Sequence, residues 1–126
     1  MRFNAIKSLL HLWKAFGSSL QGLRYTLHHE MAFRIELTVA AVLIPTALLL
    51  PVSLIFRIML ISSVFLLLIV ELLNTGIEAV VNRISTEHHP LSGRAKDAGS
   101  AAVFMSAVNM TVVWCFILFD LIFNNS

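Results

Sequence analysis

The chain has 126 residues, 58% of them hydrophobic and 13% charged, with a formal net charge of +2 at pH 7. So little charge cannot cover the surface of a soluble domain of this length. The composition therefore excludes an ordinary soluble enzyme, and no nucleic-acid partner is expected. A single membrane domain over residues 1–126 is expected, without internal repeats or low-complexity linkers.

In chain order, residues 3–27 place Phe3, Ile6, Leu9, Leu10, Trp13, Phe16, Leu20, Leu23 and Leu27 three or four apart, with Asn4, Lys7, His11, Lys14, Ser18 and Gln21 between them. One apolar and one basic face at the helical period predict an amphipathic helix over residues 1–29 lying in the membrane interface. Packing on other protein alone is the other reading of that face. Gly17 and Gly22 lower helix propensity locally, so a bend is expected there. The segment lacks the compact apolar run and cleavage site of a signal peptide and is expected to be part of the mature protein.

Three apolar runs follow. Leu37–Phe56 and Ala98–Phe119 hold no charged residue, and Ile58–Val81 holds only Glu71 and Glu78. A helical bilayer crossing needs about 20 apolar residues, so three transmembrane helices are predicted, at about residues 34–52, 55–83 and 96–122. The fold class is an all-α membrane protein with an interfacial first helix. Pro45 is expected to kink the first span and Pro51 to mark its exit, followed by a short turn containing Arg57. "ISTEHHPLSGRAKDAGS", after Arg83, is expected to be the one substantial loop, with Pro90, Ser92 and Gly93 as turn residues. Gly99, Ala101 and Ala102 open the third span with side chains small enough for close helix approach. The single cysteine, Cys115, lies inside that span, so no intrachain disulfide can form.

Arg2, Lys7, Lys14, Arg24 and Arg34 precede the first span, and Arg83, Arg94 and Lys96 follow the second. Three crossings put both groups on one side. The positive-inside rule makes that side the cytoplasm, with the C-terminus opposite.

The second span ends in "ELLNTGIEAVVNR", where Glu71, Asn74 and Glu78 are spaced i, i+3 and i+7 and so share a helix face. Ionisable groups in a membrane cost about 3 kcal/mol each on insertion scales and tend to mark function. Glu30, Glu36, Lys96 and Asp97 gather near the same boundary. Carboxylates with a lysine there suit a hydrated divalent cation and a phosphate, which points to phosphoryl transfer with a carboxylate as general base. The same pattern also suits a proton pathway, or a polar network between helices using Asn74 and Thr75. Neither a Walker loop nor a soluble-kinase motif set occurs. The adjacent pairs His28–His29 and His88–His89 diverge too far on a helix for a zinc site.

"ELLNTGIEAVVNRI" followed by "EHHPLSGRAKDAGSAAV" resembles the signature of the small bacterial membrane diacylglycerol kinases. The likeness extends over nearly the whole chain, through "GLR" at 22–24, "E-x-A-F-R-x-E" at 30–36, "R-x-x-L-I-S-S-V" at 57–64 and "WC" at 114–115. The resemblance implies a homotrimer in the bacterial inner membrane, with sites shared between neighbouring subunits. It implies transfer of the γ-phosphate of magnesium ATP to diacylglycerol, giving phosphatidic acid, or alternatively to undecaprenol. It further implies Glu71 as general base with Asn74 beside it, and Glu30 and Glu78 as carboxylates that hold Mg2+ and contact nucleotide. Glu87, His88, His89, Lys96 and Asp97 match nucleotide-binding positions. So do His11 and Ser18, where relatives often carry an arginine and an aromatic residue. Arg24, Ala32, Phe33, Arg34, Ile35, Glu36, Arg57, Ser100 and Trp114, together with Glu71, correspond to the lipid-contacting surface.

Overall fold

A computed structural model describes residues 2–124. Four helices follow one another: α1 (Arg2–His29), α2 (Met31–Leu49), α3 (Leu54–Ile84) and α4 (Pro90–Asn124). The last three are long and apolar enough to cross a membrane, as the uncharged runs predict.

Each joint follows from local chemistry. Between α1 and α2 only Glu30 leaves helical geometry, at φ −114° and ψ 111°, and its side chain makes no capping bond. Arg34 Nη1 reaches back across this elbow to the His28 carbonyl at 3.1 Å. His29 stacks on Tyr25 and donates from Nδ1 to its carbonyl at 2.9 Å. Helix α2 runs through Pro45 and stops at Leu49, because Pro51 holds the preceding Leu50 in extended conformation. Ser53 then caps α3, accepting from the Phe56 N–H at 3.2 Å. No break occurs in α1: that helix is continuous through Gly17 and Gly22.

Two expectations need correction. The loop after Arg83 is short, since α4 begins at Pro90 rather than near residue 96. Proline is tolerated in the first turn, where its missing N–H costs nothing, and the Leu91 N–H is taken up by His89 Nδ1 at 3.1 Å. Ser92 and Gly93 thus continue a helix instead of turning. Arg57 also lies inside α3 rather than in the connecting turn. Its Nε donates to the Ala47 carbonyl at 3.1 Å and its Nη2 to Leu50 at 2.9 Å, tying the free end of α2 to α3. Replacing Arg57 by leucine is expected to cost on the order of 2 kcal/mol, the scale of hydrogen bonds to charged groups. A clamp predicts a lower unfolding temperature in detergent with an unchanged KM for lipid; a lipid contact predicts the reverse.

The core lies between α2, α3 and α4, built from Ala40, Ala47, Leu60, Val64, Trp114 and Ile117. Trp114 reaches across to donate from Nε1 to the Leu60 carbonyl at 3.3 Å. Helix α1 meets the rest through its C-terminal third, where Thr26 alone among its described side chains is buried.

Candidate functional site at the end of the second span

The buried face of α3 reads Leu60, Ser63, Val64, Leu67, Glu71, Asn74 and Val81, with half-buried Glu78 completing the three-and-four spacing. One stripe therefore does two jobs: its first half packs the core, and its second half carries the polar groups. With 31 residues, α3 is about 46 Å long, against about 30 Å of hydrocarbon. Counted from Leu54, Glu71 lies about 26 Å along the axis and Glu78 about 36 Å. For an upright helix whose crossing starts at Leu54, Glu71 would fall just inside one membrane boundary and Glu78 beyond it.

The tertiary fold adds carboxyls from two other places. Glu36 on α2 adjoins Glu71, and the charges of Glu30 at the elbow and Glu78 also act on it. Glu71 is 5% exposed and Asn74 8% exposed. The Asn74 amide donates to Glu78 Oε1 at a long 3.4 Å, and Thr75 spends its hydroxyl on the Glu71 carbonyl at 3.0 Å. Glu36 Oε2 and Asn74 Oδ1 are buried without a partner. Glu36 and Glu71 are hydrogen-bonded carboxyl to carboxyl, which requires a shared proton between them.

Among the described residues no three His, Cys, Asp or Glu side chains converge into a closed metal cage. Hard oxygen donors that share a cation with water and phosphate are nonetheless what magnesium prefers. Glu30 and Glu78, whose charges both act at Glu71, could supply carboxylates to that partial shell.

The other candidate residues divide by position. Glu87, His88 and His89 line a cleft of about 490 Å3 at the α3–α4 turn. Ser18 lines a second cleft, of about 720 Å3, between α1 and the Leu72–Thr75–Gly76 face of α3. Leu72 and Gly76 do not stand out in the sequence; a further i, i+4 face of α3 is the one signal that marks them. His11, Arg24, Ala32, Arg34, Ile35, Lys96, Asp97 and Ser100 are exposed, whereas Phe33 is buried. Arg57 and Trp114 lie towards the other end of the bundle, the first clamping α2 and the second in the core. The structure therefore does not bring them to Glu71 within one chain.

Carboxylates at a membrane boundary can hold a cation that neutralises phosphate charge, and one of them can take a proton from a lipid hydroxyl. The profile of the prokaryotic diacylglycerol kinase family matches residues 17–118. The Haemophilus influenzae diacylglycerol kinase is 49% identical over 111 residues, covering 88% of this chain and 94% of its own length. The Escherichia coli diacylglycerol kinase is 49% identical over 107 residues, with 85% and 88% covered. That of Pseudomonas aeruginosa is 47% identical over 116 residues, with 92% and 94% covered. The chain belongs to the prokaryotic diacylglycerol kinase family.

Proposed function

We propose that this ATP-dependent lipid kinase transfers the γ-phosphate of magnesium ATP to the free hydroxyl of diacylglycerol, giving phosphatidic acid and ADP for re-entry into phospholipid synthesis. The observation that carries the reading is the buried Glu36–Glu71 carboxyl pair between α2 and α3, lying under the charges of Glu30 and Glu78.

Glu71 acts as general base, accepting the hydroxyl proton as the lipid oxygen bonds to the γ-phosphorus. The bond from that phosphorus to the bridging oxygen breaks, and ADP leaves with the electron pair. Magnesium, held by Glu30 and Glu78, supplies charge neutralisation at the phosphates. The Asn74 amide orients Glu78. Lys96 and Asp97, with Glu87, His88 and His89 at the turn, hold the nucleotide, and His11 and Ser18 approach it from α1. The lipid lies along Arg24, the start of α2 from Ala32 to Glu36, and Ser100.

Asp97 is two positions from Gly99, the residue of α4 that abuts Asn74, and so points about 200° away from it. That orientation turns it away from the α3 face that carries Asn74, which supports sites shared between subunits; the assembly we propose is a homotrimer. Helix α1 lies in the interface of the inner membrane, and the N-terminus and the second turn face the cytoplasm.

The test offers diacylglycerol and undecaprenol separately, with labelled ATP and magnesium in mixed micelles. Phosphatidic acid is the expected product. Preferential undecaprenyl phosphate would move the acceptor to the other lipid alcohol, and label in neither from an assembled protein would end the kinase reading. Proton or ion flux without ATP would identify a pathway instead.

A further inference from the structure

We infer that Gly99 is a positioning residue for phosphoryl transfer: the missing side chain lets the Asn74 amide dock against α4 and aim its donor at Glu78. The inference rests on the reading that Asn74 and Glu78 belong to the active site. Among the five glycines only Gly99 lacks room for a Cβ, which would collide with Asn74 Oδ1 and lie 3.2 Å from Asn74 Cγ. The third neighbour, Ile77 Cδ1, stands at an ordinary 3.7 Å. The obstruction is thus one side chain and not the helix interface at large. Gly99 is itself buried, and Asn74 Oδ1 is buried without a hydrogen-bond partner.

The amide has one chemically sound orientation. Its nitrogen donates to Glu78 Oε1, because a carboxylate accepts and cannot donate. The oxygen must then face α4, where only the Gly99 α-hydrogen lies in the direction a Cβ would take. Any side chain at 99 drives the amide off this seat and turns its donor away from Glu78. A misplacement of about 1 Å in such a set can cost about 100-fold in rate.

The experiment compares Gly99→Ala, Asn74→Ala, the double variant and Gly93→Ala, each as the assembled protein in detergent. It reads kcat, KM for ATP, and the magnesium concentration giving half-maximal rate. Gly99→Ala is expected to lose about 100-fold in kcat and to need several-fold more magnesium. Gly93→Ala, whose Cβ meets nothing within 4 Å, should match the parent. On the Asn74→Ala background the colliding atoms are gone, so Gly99→Ala should add no further loss in rate, assembly or unfolding temperature. An equal loss on both backgrounds, or a double variant that fails to assemble, overturns the inference in favour of general helix packing. An impaired Asn74→Ala beside a fully active Gly99→Ala overturns it while leaving the site assignment standing. A fully active Asn74→Ala removes both.

Discussion

Glu71→Gln should abolish phosphoryl transfer while leaving the protein folded and assembled. Glutamine keeps the size and most of the contacts of glutamate but cannot take a proton, and a general base contributes about 100- to 10,000-fold to a rate. The loss should fall on kcat, with KM for ATP and for lipid little changed, because proton removal is made only in the transition state. Stability should move the other way or not at all. Glu71 adjoins Glu36 and lies under the charges of Glu30 and Glu78, so an amide there relieves crowding among like groups and offers Glu36 a donor. Functional sites commonly hold such strain, and removing it tends to raise stability as activity falls. The check pairs a turnover assay with thermal unfolding and size-exclusion chromatography of the same detergent preparation. Parent-like turnover from the assembled variant would take Glu71 out of the base role.

Much of this arrangement is legible in the amino-acid sequence. A run as long and uncharged as Ala98–Phe119 suits a membrane helix, and three such apolar stretches foretell the three helices long enough to cross a membrane. The shared face of Glu71, Asn74 and Glu78 follows from the helical repeat alone. The same repeat shows them continuing the Leu60–Val64–Leu67 packing stripe, so the chemistry is held by the register that holds the fold. Turn residues are less reliable guides. Pro90, Ser92 and Gly93 suit a turn, yet they equally suit the first turn of a helix, and His89 supplies the cap that decides it. Contacts between helices are out of reach for a different reason. Periodicity gives a face but not the residue opposite, so neither the Glu36–Glu71 pair nor the seat of Asn74 on Gly99 is written in either segment. Small residues at the start of the third span foretell close approach without naming its partner. Arg57 shows the same limit: the sequence suggests an arginine in a connecting turn, and only the fold shows it inside α3 with donors engaged on the end of α2.

Mixing two inactive variants should restore activity, and the amount restored measures whether sites are shared. Glu71→Gln removes the base and Asp97→Asn removes a nucleotide-side carboxylate, so each alone should be nearly inactive. Within one protomer the two residues lie on different helices, and Asp97 turns about 200° away from the α4 position that meets α3. Under the shared-site proposal, a complete site takes Glu71 from one subunit and Asp97 from its neighbour. In a cyclic assembly built on one repeated head-to-tail interface, an interface is competent only when an Asp97→Asn subunit supplies the intact Glu71 and a Glu71→Gln subunit supplies the intact Asp97. Random equal mixing gives about one quarter of the interfaces that composition, so about one quarter of parental activity per site should return. The variants are unfolded together, refolded together into micelles, and assayed against the same proteins refolded apart and then combined. Recovery only after co-refolding ties the activity to subunit contact, because already assembled proteins cannot exchange the two residues. If each site were complete within one chain, no mixture could exceed the residual rates of its parents. A co-refolded sample that stayed at that floor, with assembly verified, would return the whole site to a single protomer and require Asp97 to act elsewhere.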